Sequence, residues 1–546
     1  MKRELSSLER QTFDLVVVGA GVYGAVTAWD AALRGLSVAL IDKGDFGGAT
    51  SFNNLKTVHG GLRYLQHADF RRMRESVRER RTLMRIAPHL IQPMPFLLPT
   101  YDQGLRRRPL LAVAMLLNDL VGFDRNRDTD PNKFLPPGRV VSRQECRRLL
   151  PGVPEEGLTG GAFWYDAQIT NSDRLTLTFV ISAAKAGAQV ANYVEAVGFL
   201  REGARVCGVE AKDVLDGERL AIRSRVVMNA SGPWVDRVLD TLDGERRPRL
   251  FHFSKAMNLV TRPILRDIAV GLSNRNRGQV LFVIPWRDVS LVGTRHAGYE
   301  GAPDDVEAKE EDILQLLEEI NHAYPPAQLR RHDVRLVHRG LLPMTPGGEN
   351  GDSVTLVKRH RIHDHRSEGV DGLISMVGVK YTTARDVAEK AVDRVFDLLG
   401  KSPPRARTAT TPIYGGSTER FPEFLDQEVR RNPLQLQEPS LRHLIGTYGS
   451  AYGDVIRHVE EDSANALPVV EGSPVLKAEV LHAVREEQAV DLASVILRRT
   501  ELGSAGHPGR SCLEACAAVI ASELGWDPRK TAAEIESMEE IYRRRS

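Results

Sequence analysis

Hydrophobic residues along the chain form both short continuous runs and helix-like repeats, which is typical of a mixed α/β protein. Residues 13–18 are a continuous, largely β-branched run that predicts a strand buried on both faces. A helical pattern over 25–33, a stop at Gly35 and a second strand over 37–41 complete one strand–helix–strand unit. We expect its crossover to be right-handed, so the amino-terminal part predicts a parallel sheet.

The remaining pattern predicts a large mixed body followed by helices. Further helices are predicted at 69–86, 174–186, 306–323 and 383–399, and further strands at 190–199, 206–209, 221–229, 257–260, 280–285, 289–293, 334–337, 354–357 and 373–377. Prolines and glycines cluster at 400–420 and predict a domain boundary. Beyond it, Ser473 and Pro474 predict the N-cap and first position of one helix.

Composition narrows the class of protein without naming a function. The 546 residues are 42% hydrophobic and 27% charged, which is ordinary for globular domains and excludes a disordered or collagenous chain. The net charge of +2 gives no global attraction to nucleic acid or to membranes. The four cysteines are too scattered for a disulfide framework, so we expect a reducing compartment and a cytoplasmic protein.

Three glycines follow the first strand at the spacing G-x-G-x-x-G: Gly19, Gly21 and Gly24. In this pattern the first glycine permits a tight turn, the second lets a pyrophosphate approach, and the third lets helix and strand pack closely. The helix N-terminus then offers free amide groups to the phosphates. Asp42 ends the second strand, where a carboxylate binds a ribose hydroxyl in such sites. The segment therefore predicts a dinucleotide site.

Four segments resemble one family of flavoproteins, and they keep that family's order. Residues 48–65 resemble its flavin-contacting segment, 226–235 its N-A-[TS]-G-P-W-V turn, 282–286 its F-x-I-P-W strand and 377–385 its G-G-K-x-T-T-Y-R turn. The family is that of FAD-dependent glycerol-3-phosphate dehydrogenases and oxidases, within the D-amino-acid-oxidase-like flavoproteins. The resemblance covers roughly residues 12–510 and implies FAD as the cofactor.

The resemblance also implies a fold and a domain plan. The fold class is α/β, with a Rossmann-type FAD-binding domain interleaved with an antiparallel-sheet substrate domain, and with an all-α C-terminal domain. The implied plan is an oxidoreductase body at 12–400, with FAD-binding parts at 12–100, 165–240 and 335–400, substrate parts at 100–165 and 245–335, and a helical domain at 415–546.

In such a family a hydride passes from C2 of a phosphorylated alcohol to flavin N5, and the electrons go on to a quinone or another acceptor. The resemblance places these residues at the substrate: His59, Arg63, Tyr64, Arg359 and Lys380. It places these at the cofactor: Gly19, Gly21, Gly24, Asp42, Thr50, Ser51, Lys56, Gly232, Gly378 and Thr382. His59 is the candidate base. We predict no metal at this site, and we expect His360, His363 and His365 to be solvated or satisfied in the core.

Several positions depart from the family pattern, mostly at the reacting end of the pocket. The departures are Phe52, Asn258, Arg295, His296, Leu342 and Val379. Leu342 replaces an arginine and can neither donate a hydrogen bond nor stabilise an alkoxide, so we expect slow oxidation of glycerol 3-phosphate. Another anionic hydroxy or amino acid remains an alternative substrate, and a non-catalytic FAD protein remains an alternative function.

Two charged segments bear on partners. The arginines at 71–85 lack interleaved aromatic residues, so we predict a solvated helix face and no nucleic-acid binding. The basic residues of 105–109 precede an apolar run at 110–117, for which a buried core helix and a helix in the lipid interface both stay open. Peripheral contact with the inner face of the cell membrane and a homodimer are therefore kept as alternatives.

Overall fold

The first hydrophobic run begins a parallel sheet in the computed structural model, which describes residues 1–101, 108–244, 248–273, 280–345 and 354–545. The described strands are, in chain order, β1 Phe13–Val18, β2 Val38–Ile41, β3 Thr57–Val58, β4 Ile91–Tyr101, β5 Arg139–Ser142, β6 Leu158–Ile169, β7 Gln189–Ala191, β8 Val194–Glu202, β9 Arg205–Asp213, β10 Arg219–Asn229, β11 His252–Thr261, β12 Ala269–Ser273, β13 Val280–Trp286, β14 Val289–Tyr299, β15 Val334–Met344, β16 Arg361–Asp364 and β17 Leu373–Val377.

The described helices alternate with these strands and then follow them. They are α1 Leu5–Glu9, α2 Val22–Leu33, α3 Phe70–Ile86, α4 Arg108–Val121, α5 Arg143–Leu149, α6 Ser172–Lys185, α7 Val235–Asp240, α8 Glu310–Ala323, α9 Ala384–Leu398, α10 Phe421–Arg431, α11 Glu438–Tyr448, α12 Gly453–Glu461, α13 Lys477–Glu487, α14 Leu492–Ser494, α15 Arg510–Leu524 and α16 Pro528–Arg545.

The first sheet is the predicted Rossmann-type sheet. Its strand order is β16-β17-β10-β1-β2-β7, with all neighbours parallel except the edge strand β16. Val17 of β1 lies level with Met228 and Leu40 on either side and is fully buried. Helices α2, α6 and α9 cover one face, and α1, α7, β8 and β9 cover the other, so both faces of β1 are buried and its run is continuously hydrophobic. The carboxyl ends of these strands meet at one edge, where ligands bind in such sheets.

The second sheet is the predicted substrate-side sheet. Its order is β15-β11-β14-β13-β12-β4-β6-β3, and its neighbours are antiparallel except for the parallel pair of β12 and β4. Helix α8 packs on one face through Leu316 and Ile320. The helices after residue 420 share a core with other residues of this sheet, among them Trp286 and Leu336. The carboxyl-terminal helices therefore contact the body through apolar packing.

The arginine-rich helix differs from its predicted solvated face. Arg71 is 76% exposed, but most of the other arginines of α3 are held by carboxylates or carbonyl groups of distant segments. These pairs are Arg74 and Arg81 with Asp124, Arg78 with Asp386, Arg80 with Asp166, and Arg85 with the Ala409 carbonyl. The prediction was wrong because charge in a sequence does not reveal a partner carboxylate far along the chain.

Three local predictions were also corrected. Residues 354–357 form no strand; Leu356 makes only an isolated bridge to Met344. Helix α8 begins at Glu310 and not at 306. Three acidic residues in its first turn interact favourably with the positive end of the helix dipole there. Ser473 does not cap α13, since that helix begins at Lys477 and the Ser473 hydroxyl accepts the amide of Val475 instead.

Helix α4 carries the apolar run whose environment was left open. Met115 is buried in the shared core, while Val113, Leu116 and Leu120 on another side are exposed. The helix thus has one buried and one exposed apolar side. Arg106 and Arg107, which precede it, lie outside the described residues. Within the described residues, no helix combines the length and apolar character needed to cross a bilayer.

Candidate active site

The glycine turn after β1 is closed by backbone contacts. Gly19 has φ +101°, in the left-handed region that favours glycine. A Cβ on Gly24 would lie 1.8 Å from the Gly19 carbonyl oxygen, so only glycine lets α2 approach β1 this closely. A Cβ on Gly21 would lie 3.1 Å from the Ser51 hydroxyl. The glycine spacing thus serves the purposes expected of a dinucleotide turn.

Asp42 lies at the end of β2 and holds this turn in place. Its carboxylate accepts the amide of Ala20 at 2.6 Å and the amide of Gly44 at 3.0 Å. Burial raises the pKa of Asp42 to about 6, although both amide hydrogen bonds oppose this. The Ser51 hydroxyl accepts the amide of Val22 at 2.9 Å, so Ser51 sits at the N-terminus of α2. A dinucleotide fits such a cradle because amide donors and a carboxylate are both at hand.

The loop after Asp42 is held by a carboxyl-terminal segment, an arrangement that sequence analysis missed. Arg498 and Arg499 both donate to the Asp45 carboxylate, one of these hydrogen bonds being 2.7 Å long. Asn192 donates to the same carboxylate at 3.1 Å. Asp45 and Arg499 are almost fully buried, and the arginines hold the pKa of Asp45 well below its usual range despite that burial. We call this group the Asp45 clamp.

Thr50 and Lys56 anchor the segment that resembles a flavin-contacting loop. The Thr50 hydroxyl pairs with the backbone of Leu341 in β15, at 3.2 Å to its oxygen. Lys56 is buried and donates to the Ser172 hydroxyl at 2.6 Å and to the Phe52 carbonyl at 2.9 Å. Burial lowers the pKa of Lys56 to about 8. Through these two hydrogen bonds Lys56 joins the loop to α6. Direct contact between Lys56 and the cofactor stays a prediction.

The turn after β17 approaches α2 at equally short range. A Cβ on Gly378 would lie 1.9 Å from the Tyr23 ring. The Tyr23 hydroxyl donates to the Lys380 carbonyl at 2.6 Å and accepts the Val379 amide at 3.1 Å. Only the first position of the turn needs glycine, which explains how Val379 is accommodated. Across the turn, the amide of His59 donates to the Thr382 hydroxyl at 3.4 Å.

Gly232 lies at the carboxyl end of β10, in the turn that starts α7. Its φ of +58° again favours glycine, and a Cβ there would meet no atom within 4 Å. Glycine is therefore favoured at position 232 by the positive φ of the backbone and not by a steric clash. The position is near the Gly19 turn, because a Cβ on Gly19 would lie 2.7 Å from the Ala230 carbonyl oxygen.

Cationic side chains gather around Tyr64, beside the Gly378 turn. The Lys380 ammonium lies 4.3 Å from the centre of the Tyr64 ring, and the Arg72 guanidinium lies 4.2 Å from it. Burial, followed by the charge of Arg72, lowers the pKa of Lys380 to about 8. Arg72 was not among the predicted site residues, because its position in α3 gave no sign that it would reach Tyr64.

Arg63 and Arg359 complete this group and are both exposed. Arg63 lowers the pKa of the nearby His296, and Arg359 helps lower the pKa of Asp69, which caps α3. Neither makes an ion pair within the described residues. We call Arg63, Arg72, Arg359 and Lys380 the cationic cluster. Such a cluster can hold an anion, since several donors converge from different segments.

Two histidines face the cluster. The His59 ring makes an edge contact with Tyr64, with ring centres 6.1 Å apart, and burial and then Lys380 lower the pKa of His59 to about 4. His296 on β14 has Nδ1 3.3 Å from the Ser254 hydroxyl, and burial and then Arg63 lower its pKa to about 4. Both imidazoles are therefore neutral at neutral pH and can accept a proton.

The neighbouring Arg295 points to the other face of the sheet. Its guanidinium donates to Glu319 of α8 at 2.9 Å. Of the two departures at this point of β14, His296 is therefore the one directed toward the cluster. Leu342 of β15 lies across β11 from this strand, opposite Ser254 in register, and is half-buried.

The remaining departures, Asn258 and Phe52, contact other side chains beneath the loop. The Asn258 amide donates to the Asn53 side chain at 3.0 Å and accepts the Thr294 hydroxyl at 2.8 Å. The Asn53 amide donates to the Ala256 carbonyl at 3.1 Å. Phe52 makes an edge contact with the His338 ring. These residues join the loop to β11, β14 and β15, so the changes form a consistent set and not isolated losses.

The sequence matches the FAD dependent oxidoreductase family over residues 14–381 and the C-terminal domain of alpha-glycerophosphate oxidase over residues 406–531. Proteins named glycerol-3-phosphate dehydrogenase from Synechocystis sp. and Mycobacterium leprae are each 34% identical to it. The first alignment covers 98% of both chains, and the second covers 98% of this chain and 88% of the relative. The solved glycerol-3-phosphate dehydrogenase from Bacillus halodurans, complexed with FAD, is similar with TM-score 0.79 and 26% identity, over 99% of this chain and 96% of that one.

Proposed function

Because the chain belongs to the family of FAD-dependent glycerol-3-phosphate dehydrogenases, we propose that it oxidises sn-glycerol 3-phosphate to dihydroxyacetone phosphate. The observation that carries the proposal is the cationic cluster beside the Gly378 turn, next to two neutral histidines. When bound, FAD accepts the hydride from C2 of the substrate. The protein's own residues must then hold the phosphate and take the hydroxyl proton.

Phosphate binding is assigned to the cationic cluster. A phosphate dianion needs several fixed donors, and arginine offers two parallel N–H groups for its oxygens. Lys380 and Arg72 are half-buried around one tyrosine ring, where an anion would offset the repulsion between them. We assign the exposed Arg63 and Arg359 to the same phosphate, because the charge of Arg63 acts on His296 and that of Arg359 acts on Asp69 beside Arg72.

Proton removal is assigned to a neutral imidazole. His59 is the family-derived candidate and stays so, since its ring contacts Tyr64 within the cluster. His296 is a second candidate, because Ser254 can fix its Nδ1–H and leave a lone pair on Nε2. Comparing His59→Ala with His296→Ala, by the rate of flavin reduction, assigns the base to one of them.

Anaerobic flavin reduction tests the whole proposal. Purified protein with bound FAD is mixed with glycerol 3-phosphate, and bleaching of the flavin absorbance is followed. Glycerol, glycine, proline and small 2-hydroxy acids serve as comparison substrates. Bleaching by glycerol 3-phosphate at the lowest concentration supports the proposal. Faster bleaching by one of the other compounds would contradict the proposal and identify that compound as the better substrate.

One observation favours a different anionic hydroxy or amino acid as substrate. Leu342 places an apolar group opposite Ser254, where a donor would assist an alkoxide. A substrate that needs no such donor is better suited to this position. The same substrate panel separates the two functions, since only the phosphorylated alcohol depends on the full cationic cluster.

We also propose that the exposed side of α4 contacts a lipid interface and brings the flavin enzyme to a membrane quinone. Leu116 is 69% exposed and Phe123 just after the helix is 78% exposed. An apolar stripe of this kind is typical of helices that lie in an interface.

Vesicle flotation tests this contact. The double variant Leu116→Gln/Leu120→Gln is expected to float less with anionic lipid vesicles than the parent, while flavin content stays unchanged. Leu314→Gln is the matched control, since Leu314 is a half-exposed leucine on α8. Equal flotation of all three proteins would contradict the proposed membrane contact. If the double variant instead changes its oligomeric state and floats like the parent, the exposed side of α4 is a homodimer interface.

A further inference from the structure

A second cluster of polar side chains lies at the edge of the parallel sheet. His363 is on the edge strand β16, and His365 and Glu368 are in the single turn that follows it. One ligand atom from each residue lies within 4.8 Å of the other two. His365 is buried, His363 is largely buried and Glu368 is exposed, so the group is reached from solvent on one side.

The local sequence explains why the three side chains converge. His363 lies near the end of β16 and His365 begins the turn directly after it, which brings the two rings together with their centres 4.6 Å apart. The turn then reverses the chain, because Asp364 accepts the amide of Arg366 at 3.0 Å and Gly369 adopts φ +78°. Glu368 is thereby returned to the histidines.

Both imidazoles meet the same carboxylate. His363 Nε2 lies 2.5 Å from one Glu368 oxygen, and His365 Nδ1 lies 3.0 Å from the other. On its far side, His365 Nε2 lies 2.8 Å from the buried Ser375 hydroxyl of β17. When this nitrogen donates its proton to Ser375, the Nδ1 lone pair is directed toward Glu368 and His363. Such an outer hydrogen bond is the usual means of orienting a metal-binding histidine.

We propose that His363, His365 and Glu368 bind one divalent metal ion, with water at the remaining position. Two imidazoles and one carboxylate suit Zn²⁺ and its neighbours in the first transition series better than Ca²⁺ or Mg²⁺, which prefer oxygen ligands. Tetrahedral zinc with bonds of about 2.0–2.1 Å needs ligand atoms about 3.3 Å apart, so small side-chain rotations suffice.

The adjacent Asp364 is not part of the site, because Arg366 and Arg394 neutralise it at 2.9 and 2.6 Å. The ion would join β16 to the turn that leads into β17, and β17 runs directly into the Gly378 turn. Its role is to stabilise this edge of the sheet. The inference is independent of the proposed substrate, since none of the three ligands is assigned to substrate or FAD.

Calorimetric titration with Zn²⁺ tests the site in the full-length protein with FAD bound, after treatment with a chelator. The parent is expected to bind one Zn²⁺ at about 10 μM or below and to unfold at a higher temperature with the metal. His363→Ala and Glu368→Gln should each weaken binding by about tenfold or more. Both replaced residues lie near the surface, and flavin absorbance reports whether each variant is folded.

His507→Ala is the matched control. His507 lies 3.0 Å from Glu539, which makes it a histidine–glutamate pair without a second histidine, and its loss should leave Zn²⁺ affinity unchanged. Co²⁺ provides a second measurement, because a tetrahedral site gives intense visible absorption that His363→Ala should abolish. Unchanged Zn²⁺ affinity in both His363→Ala and Glu368→Gln, or no binding by the parent, would show that this cluster is only a hydrogen-bonded histidine–glutamate group.

Discussion

The dinucleotide edge of the parallel sheet and the cationic cluster are neighbouring regions built in different ways. At the dinucleotide edge the close contacts are made by backbone, as at Gly24, Gly378 and the amides bound to Asp42. In the cationic cluster the contacts are made by long side chains from separate segments, such as Arg72 and Lys380. Where backbone segments are in close contact, few substitutions can be accommodated. Where long side chains make the contacts, a residue can be replaced without displacing the backbone.

This difference accounts for where the sequence departs from its family. Four of the six replaced positions, Asn258, Arg295, His296 and Leu342, lie on strands of the second sheet, and Phe52 and Val379 in the cofactor-side loops are the exceptions. The glycine turn after β1 keeps all its glycines. On the proposed function, the cofactor frame tolerates little change and the substrate surface can be altered. Each prediction below tests one side of this contrast.

The largest effect is expected at the Asp45 clamp. Asp45→Asn leaves the buried Arg499 without its anionic partner, and breaking such a buried pair costs about 3–5 kcal/mol of unfolding free energy. Urea denaturation measures this loss. Asp304→Asn is the control, because Asp304 pairs with Lys43 and Arg237 at the surface. Similar losses in both variants would show that burial of the clamp is unimportant.

A similar but smaller loss is expected at Gly24. In Gly24→Ala the new Cβ must displace the Gly19 carbonyl, so we expect about 3 kcal/mol of destabilisation and poor retention of FAD. Gly446→Ala is the control inside α11, where a Cβ meets nothing within 4 Å, and it should stabilise by about 0.5–1 kcal/mol. If Gly24→Ala keeps full stability and flavin content, the contact between α2 and the Gly19 turn tolerates a side chain at position 24.

On the other side of the contrast, Lys380→Ala should leave the fold and the flavin spectrum intact. Its backbone still binds Tyr23, but one charged donor to the phosphate is lost. A hydrogen bond to a charged group contributes about 1.5–3 kcal/mol, so we expect KM to rise by about 10–150-fold. Lys390→Ala, which removes a surface partner of Asp386, is the control. An unchanged KM in Lys380→Ala would exclude phosphate binding by this lysine.

The pH dependence of kcat and KM should reflect the cationic cluster and its histidines. Because the pKa values of His59 and His296 are lowered to about 4, either base stays neutral on acidification. We expect kcat at saturating substrate to be level from about pH 7 to about pH 5, where an ordinary histidine base of pKa about 6.5 would already be protonated. The value compared is kcat, because the substrate phosphate itself takes up a proton at about pH 6 and alters kcat/KM. At the alkaline side, Lys380 loses its charge as the pH rises through its pKa of about 8, so substrate affinity should fall.

Steady-state kinetics between about pH 5 and 9 provide this measurement. The alkaline fall should be absent in Lys380→Arg, because an arginine side chain keeps its charge over this range. A steep loss of activity between about pH 7 and 6 would instead indicate a solvated histidine as the base.

The smallest effect is expected for Leu342→Arg. The new guanidinium can donate a hydrogen bond to the developing alkoxide oxygen, and we expect turnover of glycerol 3-phosphate to rise by about tenfold, below the value of a preorganised donor. Leu342→Met is the control for side-chain size. A fall in turnover with the arginine would mean that its charge conflicts with the cationic cluster.

Local pattern was sufficient to predict the elements on which the cofactor site is built. Strands 13–18 and 373–377 have the predicted bounds, since buried strands must be continuously hydrophobic. The three glycines of the turn were identified because their spacing follows from one short stretch of backbone. Recognition of FAD rested on several such stretches in order.

The substrate side could be predicted only in part. Arg72 lies in a segment with no local sign of function, and His296 was noted only as a departure from the family pattern. Both reach the cluster through strand pairing and helix packing. The arginines of α3 were misjudged for the same reason, because their carboxylate partners are remote in sequence. Tertiary contacts of side chains leave no periodic pattern in the chain.

The Asp45 clamp sets an order of events during biosynthesis. Arg498 is synthesised 453 residues after Asp45, so the loop beside the dinucleotide turn has no arginine partners while most of the chain is being made. The loop that carries Asp42 and Gly44 can reach its final form only when the carboxyl-terminal helices have folded onto the body. Capture of the cofactor should therefore follow synthesis of the segment that carries Arg498 and Arg499, and a chain terminated before that segment should leave the ribosome colourless.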